Sequence, residues 1–444
     1  MHSHQQRLIS RPSWVKSLDT DLHVFSCRDD DRQVHEVSLY SWNILSQYLF
    51  DSTPQWYQYV AENAPLQWKD RLPKIVDELV NWNADVICLQ EVEFYAFDDL
   101  QTLLQEYGYN GVMQSSKKRT GQHPYGVCTF YKQEKFKLVE CIHRSRVMVS
   151  MLQLKTVPSQ NILAVMNVHL EGAPSKSITR VRQLQNAFQD LKNKHIHHDC
   201  VIVGDFNSIL GKSACSVYLR EGTCANYDHI LEWGRLVDSQ IASIPKHTYS
   251  FHSAYDENLM RKSPMDYITF VSSPHRYTAG LDQIWYHDEN NSIRVKGLKK
   301  SFSSVELREK ILNSGLPSAN HPSDHIGIGC ILEFDESKYE KRENLQAKEP
   351  LHFNAKTMST AELEETATEL LSTINFEGKD EFLSIIKNSL HVPSGEKPSD
   401  EEIQQIRSLR LRKKELFESL PKEERDILME VSKLLKVANS RYDK

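Results

Sequence analysis

The sequence predicts an α/β protein, a four-layered α/β sandwich in which two packed mixed sheets are flanked by helices. From Val34 onwards, apolar runs typical of buried strands alternate with segments that have the period of amphipathic helices. Several of the strand-like runs end on polar side chains, which is typical of strands whose tips form a site. After Asp335 the strand-like runs stop, and charged segments with helical periodicity predict a C-terminal α-helical extension.

The elements can be assigned in chain order. The segment 68–82 predicts an amphipathic helix, with Leu72, Ile75 and Leu79 on its apolar face. Pro73 must lie in the first turn of this helix or kink it. Further helices are predicted at 95–107 and 178–194, and strands at 126–131, 147–154, 162–170 and around residues 201, 284 and 326.

The composition limits the class of protein. A length of 444 residues allows one domain of about 300 residues and an additional module. The net charge of −6 does not indicate nucleic-acid binding by itself, and the basic run 117–119 is equally typical of a solvated loop. The eight cysteines form no C-x-x-C pair, so we expect no zinc site and a reducing compartment, the cytoplasm first, with the nucleus or an organelle as alternatives. No apolar run approaches the roughly 20 residues of a membrane-spanning helix, so no membrane contact is expected.

Three segments are expected. Residues 1–33 form a polar, irregular N-terminal tail, residues 34–335 a catalytic domain, and residues 336–444 the charged helical extension. Within the extension, helices are predicted at 359–371, 379–390, 399–419 and 421–437. The sequence identifies no partner for this extension.

Four strand ends carry the residues of greatest chemical interest. Asn43 and Glu91 each end an apolar run, Asp205 and Asn207 lie in Gly-Asp-Phe-Asn, and Asp324-His325 precedes the last strand. Each of these motifs alone is typical of a residue that caps a loop. Together, their oxygen and nitrogen ligands suit a hard cation that retains several waters, Mg²⁺ or Mn²⁺.

The order of these motifs resembles the endonuclease/exonuclease/phosphatase superfamily, which has the DNase-I-like fold. Details resemble its deadenylase-like branch, which includes carbon catabolite repression deadenylases, nocturnin and the Angel proteins. The resemblance extends from about residue 34 to residue 335 and rests on the stretches 41–48, 66–71, 84–93, 167–170, 204–207, 253–255 and 281–286.

The resemblance implies a Mg²⁺-dependent 3′-to-5′ RNA exonuclease that releases nucleoside 5′-monophosphates. One alternative is a phosphatase or cyclic phosphodiesterase acting on a small nucleotide or an RNA end. A catalytically silent binding module is a further alternative, which the presence of every expected catalytic residue type disfavours.

The resemblance also implies roles for individual residues. Glu91, Asn43 and Asp324 would hold the metal, and Asp205 would orient or deprotonate the attacking water or bind a second metal. Asn207 and His169 would contact the scissile phosphate, and His325 would donate to a non-bridging phosphate oxygen. Tyr125 and Pro124 would contact the substrate base.

His325 needs a carboxylate that fixes its tautomer, and the chain offers Asp266 and Asp282. Both lie in an Asp-x-Ile sequence. The order of the motifs, with Ser253-Ala254-Tyr255 upstream and Thr269-Phe270 between the candidates, favours Asp282.

Two differences from the deadenylase-like branch affect the expected substrate preference and the expected partners. His123-Pro124-Tyr125-Gly126 stands where the deadenylases usually have Pro-Asp-Gly, so we expect a modest rather than strict preference for adenine. The leucine-rich repeats of the large deadenylases do not precede the domain, so recruitment by their usual scaffold is not expected.

Overall fold

The computed structural model describes residues 22–24, 34–60, 67–115, 124–155, 162–193, 199–225, 231–232, 235–237, 239–255, 267–272, 277–287 and 293–335. The predicted extension 336–444 lies outside these ranges. Within the predicted N-terminal tail, the three described residues form a strand rather than irregular chain. None of the helices in the described ranges is long and apolar enough to cross a membrane.

The first sheet has seven strands in the order β1-β16-β17-β2-β3-β5-β4. Their bounds are β1 Leu22–Val24, β2 Val34–Asn43, β3 Val86–Glu93, β4 Tyr109–Met113, β5 Tyr125–Lys132, β16 Ile293–Lys299 and β17 Ile328–Asp335. Chain order and strand order differ, because β16 and β17 return to this sheet after the chain has left it.

The second sheet has six strands in the order β12-β15-β9-β8-β7-β6. Their bounds are β6 Phe136–Arg144, β7 Val147–Leu154, β8 Ile162–His169, β9 Cys200–Asp205, β12 Phe251–Ser253 and β15 Asp282–His287. Two short ribbons lie outside both sheets, β10 Leu231–Glu232 with β11 Arg235–Leu236, and β13 Phe270–Ser272 with β14 Tyr277–Ala279.

One parallel pair lies within each sheet, and the other pairings described in the two sheets are antiparallel. β2 runs parallel to β3, and β8 runs parallel to β9. Parallel neighbours need a crossover connection, usually helical, and the connections here contain helices. The carboxyl ends of these four strands supply four side chains of the site described below.

The α-helices that the structure describes are α1 Gln47–Ser52, α2 Trp68–Trp82, α3 Phe94–Gln105, α4 Ser177–Asn193, α5 Ala214–Glu221 and α6 Val305–Ser314, with short 3₁₀ helices at Pro54–Trp56 and Ser239–Ser243. Buried side chains of α2 and α3, such as Ile75 and Leu100, form one core cluster with the first sheet. Those of α4 and α5, such as Leu184 and Tyr218, form another with the second sheet.

The inner faces of the two sheets share an apolar core that contains one polar bridge. Val37 and Cys88 of the first sheet belong to the same cluster as Val165 of the second. Within this layer, the Nε2 of Gln90 donates to Asn167 Oδ1 at 2.8 Å, and both side chains are fully buried. The Nδ2 of Asn167 donates to the Cys128 carbonyl at 2.8 Å. Because buried amides require partners, the bridge favours one alignment of the sheets.

The predicted four-layered sandwich is confirmed. The helix predicted at 68–82 has those bounds. Pro73 is its sixth residue and lies beyond the first turn, where it cannot donate the backbone hydrogen bond to the carbonyl of Lys69. The last strand begins at Ile328, two residues after the predicted start, because residues 323–327 form a loop that carries part of the site.

Candidate active site

The parallel strand pairs end side by side at one edge of the sandwich. Asn43 ends β2, His169 ends β8 and Asp205 ends β9, while Glu91 lies near the end of β3. All four side chains are at most 8% exposed. Four polar groups are thus held in a buried cluster, where electrostatic interactions are stronger than in water.

Asn43 joins the two carboxylates of this cluster. Its Nδ2 donates to Glu91 Oε1 at 3.0 Å and to Asp205 Oδ2 at 3.1 Å. Its Oδ1 accepts the backbone N–H of Leu45 at 3.1 Å. The predicted metal ligand therefore presents its amide nitrogen to the cluster, and it holds Glu91 and Asp205 at a fixed separation.

Glu91 is held by an irregular turn of the backbone. The pairing of β3 with β5 shifts between Leu89 and Val92, and Glu91 has a φ of 59°. Such a conformation is costly for a residue other than glycine and is typical of functional sites. Its Oε2 accepts the N–H of Ser46 at 3.0 Å. Burial, together with the charge of Asp324, raises the pKa of Glu91 to about 7.

Asp205 remains ionised in the same cluster. Burial would raise its pKa, but the neighbouring His325 and His169 and the N–H of Asn207, 2.8 Å from Oδ1, lower it below the ordinary value. Gly204 makes this strand end possible. Its φ is 139°, and a Cβ there would lie 2.1 Å from the carbonyl oxygen of Val168. Glycine is thus required at this position because the backbone of the neighbouring strand β8 approaches too closely for a Cβ atom.

His325 forms a buried pair with Asp282. The Nδ1 of His325 lies 2.8 Å from Asp282 Oδ2, and its Nε2 lies 3.7 Å from Asp205 Oδ2. Burial opposes the charge on the imidazole, yet Asp282 and Asp205 outweigh it and raise the pKa of His325. This is the partner that the sequence predicts, and the rival Asp266 lies outside the described residues.

His169 and Asn207 approach the cluster from the second sheet. His169 Nε2 lies 3.6 Å from Glu91 Oε1 and 3.8 Å from Asp205 Oδ2. Asn207, with a φ of 48°, donates from its Nδ2 to the Leu170 carbonyl at 2.9 Å. Both predicted phosphate-contacting residues therefore lie at this edge.

Tyr125, one of the two predicted base-contacting residues, lies beside His169, and the other, Pro124, precedes Tyr125 in the chain. The ring centroids of Tyr125 and His169 are 6.2 Å apart, and those of Tyr125 and Tyr48 are 6.4 Å apart. Tyr125 is only 7% exposed, while Tyr48 is 43% exposed. Tyr125 therefore offers little free ring surface to a base, and Tyr48 offers more. His123 and the basic run 117–119 lie outside the described residues.

Asp324 completes the set of carboxylates. Its Oδ2 accepts the hydroxyl of Tyr57 at 3.0 Å, and burial raises its pKa. Its Oδ1 is buried and has no hydrogen-bond partner in the described part of the chain. An unsatisfied buried carboxylate oxygen is costly, and a cation would satisfy it.

The sequence interpretation missed Arg71, a fully buried residue of α2. Its Nη1 donates to the carbonyls of Ile44 and Leu45 at 2.8 and 2.7 Å and to that of Pro322 at 3.2 Å. It thereby joins the loop after Asn43 to the loop before Asp324. A signal was present, because Arg71 lies four residues before Ile75 on the apolar face, where a charged residue is unusual.

Comparison with known proteins identifies the family. The Endonuclease/Exonuclease/phosphatase family matches residues 40–325. The CCR4-Not complex 3′-5′-exoribonuclease subunit Ccr4 of Candida glabrata is 26% identical over 376 residues, which cover 74% of this chain and 40% of the relative. Nocturnin of Homo sapiens is 28% identical over 321 residues, covering 68% of this chain and 66% of nocturnin.

The fold is also similar to that of a solved structure. The crystal structure of ANGEL2, a 2′,3′-cyclic phosphatase, aligns with a TM-score of 0.57 at 22% identity and covers 68% of this chain and 98% of the other. The chain spans about 40% of the length of the first Ccr4 relatives it matches. The family match, in contrast, covers more than half of this chain and begins and ends among the site residues. The chain therefore belongs to the endonuclease/exonuclease/phosphatase family.

Proposed function

We propose that the protein is a Mg²⁺-dependent phosphodiesterase that removes nucleotides from RNA in the 3′-to-5′ direction and releases nucleoside 5′-monophosphates. The observation that carries the proposal is the convergence of the His325–Asp282 pair with Glu91 and Asp205, which lie at the carboxyl ends of the two parallel strand pairs. The name of the Ccr4 relatives, a 3′-5′-exoribonuclease subunit, supports the choice of substrate.

The carboxylates fit a divalent cation, and enzymes of this family generally use one. Burial raises the pKa of both Glu91 and Asp324, and the charge of Asp324 raises that of Glu91 further. The Oδ1 of Asp324 lacks a protein partner among the described residues. No three His, Cys, Asp or Glu side chains in that part of the chain are placed to ligate one ion together. Mg²⁺, however, retains several waters and needs only one or two carboxylates, and Mn²⁺ has similar preferences. We infer that Glu91 and Asp324 hold the ion, with Asp205 as an alternative ligand.

The remaining side chains provide proton transfer and phosphate contacts. A bound cation would neutralise negative charge on the phosphate. Asp205, whose pKa is lowered, is available as an ionised group that orients a water or accepts its proton. His325, protonated and fixed by Asp282, would donate from Nε2 to a phosphate oxygen, and His169 and Asn207 would hold the scissile phosphate.

The cellular setting belongs to the same proposal. The seven cysteines that the structure describes are all free thiols, which fits a reducing compartment such as the cytoplasm. The substrate is RNA or a nucleotide. A protein partner for residues 336–444 is unknown, and membership of an assembly is named only for the Ccr4 relatives.

The test is hydrolysis of 3′-labelled RNA under Mg²⁺, with EDTA as the metal-free condition. We expect mononucleotide release from A₁₀, U₁₀ and C₁₀, with a preference for adenine below about a hundredfold, equivalent to about 2.7 kcal/mol. Glu91→Ala should abolish turnover in the folded protein. Glu93→Gln is the matched control, since Glu93 Oε1 accepts the N–H of Tyr48 outside the cluster and glutamine retains that acceptor.

Three outcomes would contradict parts of the proposal. Full activity of Glu91→Ala in EDTA would exclude the metal mechanism. Adenine preference well above a hundredfold would contradict the modest base selectivity. If RNA is not hydrolysed but phosphate is released from NADP(H), or a 2′,3′-cyclic RNA end is opened, the protein is instead a phosphatase or cyclic phosphodiesterase.

A further inference from the structure

Arg146 occupies a conformation that its sequence neighbours do not explain. It is the second residue of the two-residue turn between β6 and β7, and its φ is 66°. Turns of this kind favour Gly, Asn or Asp, because other side chains are strained there. A strained arginine next to a cluster of catalytic residue types suggests that the guanidinium serves a purpose.

The turn is fixed at the edge of the active site. The carbonyl of Arg146 accepts the N–H of His169 at 2.9 Å, which places the turn next to the end of β8. Gln114, a buried residue at the end of β4, donates to the carbonyl of Arg144 from the opposite sheet. Both sheets therefore hold the turn, and Arg146 is positioned before any substrate arrives.

The guanidinium of Arg146 is largely buried but poorly satisfied. Its side chain is 14% exposed, and its Nε has no hydrogen-bond partner in the described ranges. Its ion-pair contact, from Nη2 to Glu171 Oε2, measures 3.8 Å, which is longer than a hydrogen bond. A planar guanidinium with free donors is suited to bidentate contact with a phosphate.

Negatively charged side chains surround Arg146, so a phosphate that binds here needs a cationic partner. Glu91, Asp205 and Glu171 all lie on this side of the site, and each repels a phosphate. Burial and the charge of Glu91 raise the pKa of Tyr125, and Arg146 opposes this effect, so its charge reaches the Tyr125 hydroxyl. Arg146 is therefore close enough to act on a group bound beside Tyr125 and His169.

We propose that Arg146 binds the substrate phosphate that precedes the scissile one, and that Glu171 occupies the guanidinium when no substrate is present. The inference rests on the proposed function, because it assumes a polynucleotide chain in the site. It assigns Arg146 to substrate binding and not to the chemical step. A substrate with a single phosphate should therefore be insensitive to the residue.

Adenosine 3′,5′-bisphosphate provides a direct probe. Its 3′-phosphate represents the scissile phosphate, and its 5′-phosphate represents the preceding one. Adenosine 3′-monophosphate lacks that second group. Calorimetric titration of the full-length protein with both compounds isolates the contribution of the second phosphate. In parallel, hydrolysis of the dinucleotide ApA, which contains only the scissile phosphate, measures the reaction itself.

Arg146→Gln is expected to weaken binding of the bisphosphate about tenfold or more, the size expected for lost charge-assisted hydrogen bonds. Binding of the monophosphate and hydrolysis of ApA should change less than about twofold, because neither compound contains the preceding phosphate. Arg146→Asn should behave in the same way and remain folded, because asparagine tolerates a positive φ. Glu171→Gln should tighten binding of the bisphosphate, because the competing carboxylate is removed.

Arg144→Gln is the matched control. Arg144 lies in the same hairpin, is 45% exposed and pairs with Asp190, away from the site. The Arg144→Gln variant should bind both nucleotides with the affinity of the wild type.

The inference is overturned if Arg146→Gln and Arg146→Asn bind the bisphosphate like the wild type, if both nucleotides weaken equally, or if the wild type binds neither. If the bisphosphate effect is found but no RNA is hydrolysed, the proposed exonuclease activity fails and the phosphate contact stands.

Discussion

At the scale of single residues, the His325–Asp282 pair determines the protonation state of the site. The two side chains are hydrogen-bonded at 2.8 Å in a fully buried setting, and Asp205 lies on the other side of the imidazole. The pair fixes Nδ1 as the proton donor to Asp282 and leaves Nε2 directed into the site. In the proposed reaction, His325 would donate to a phosphate oxygen without reorienting.

Asp282→Asn should lower kcat by about a hundredfold to ten-thousandfold, which is the usual effect of disturbing a positioned acid or base. The amide would remove the charge that keeps His325 protonated. The measurement is steady-state hydrolysis of an RNA oligonucleotide. Asp266→Asn is the comparison variant and should retain activity. Equal loss in both variants, or loss in Asp266→Asn alone, would show that the other motif holds the histidine.

His247 is a second buried histidine with a different consequence, for stability rather than activity. It lies among Phe188, Tyr218 and Tyr249, and its Nε2 is 2.7 Å from the carbonyl of Tyr218. Burial lowers its pKa to about 4, below the ordinary value of 6.5. The unfolded chain therefore binds a proton more readily than the folded protein between pH 6.5 and pH 4.

The stability that neutral His247 provides is present above pH 6.5 and is lost as the pH falls towards 4. Between pH 7 and pH 5 the free energy of unfolding of the wild type should fall by about 2 kcal/mol more than that of His247→Gln. Urea denaturation at the two pH values measures this difference. His252→Gln, at an exposed position, should show the wild-type dependence. Identical pH dependence in His247→Gln and the wild type would contradict the assignment.

At the scale of secondary-structure elements, α2 connects the loops that carry the site. Its Arg71 donates to the carbonyls of Ile44, Leu45 and Pro322, and burial lowers the pKa of its guanidinium. Those carbonyls belong to the loops that follow Asn43 and precede Asp324. Arg71 can therefore control the positions of candidate site residues that it does not contact directly.

Arg71→Met retains an unbranched apolar stem but removes the guanidinium and its donors, which leaves buried carbonyls unsatisfied. We expect the free energy of unfolding to fall by about 3 kcal/mol and kcat to fall with it, since loop positions change. Chemical denaturation and kinetics on the same preparation measure both effects. Lys69→Met, at an exposed position of the same helix, should change neither. Unchanged kcat in a folded Arg71→Met protein would limit Arg71 to a role in stability.

Helices and strands with strong apolar periodicity were predictable from the sequence, whereas an edge strand and an exposed helix were not. The helix Trp68–Trp82 and the strand Val147–Leu154 have their predicted bounds. The edge strand Phe136–Arg144 was missed, because exposed polar residues interrupt its alternation. The helix Val305–Ser314 was missed because none of its residues is buried, and Ile311 and Leu312, which pack against a small core cluster, are only partly covered.

For the site, the sequence motifs led to the strand-end side chains, while their supports depended on tertiary structure. Glu91, Asp205 and Asp282 were predicted from the motifs and lie in one cluster. Arg71 and Tyr57 come from distant parts of the chain, and only folding shows that they contact Asp324 or its loop. The spacing of residues within a motif does not show which residues far apart in the chain will form hydrogen bonds with each other.

At the scale of the whole molecule, every site residue discussed above lies between residues 43 and 325, before the expected end of the catalytic domain near Asp335. Removal of residues 345–444 should therefore leave hydrolysis of a short RNA largely unchanged. Comparison of kcat/KM for the full-length and truncated proteins tests this. A truncated protein that is soluble and folded but inactive would show that the extension completes the site or holds the substrate.

The order in which the chain builds the first sheet has a consequence for its synthesis. Strands β2 to β5 are made early, the second sheet follows, and β16 and β17 come last, although β17 pairs directly with β2. Because a protein is made from its N-terminus, β2 lacks this neighbour, and Asp324 and His325 are missing, until the last part of the domain leaves the ribosome. For the proposed nuclease, the candidate site therefore stays incomplete while the domain is being translated, and we expect no hydrolysis by the nascent chain of the message from which it is made.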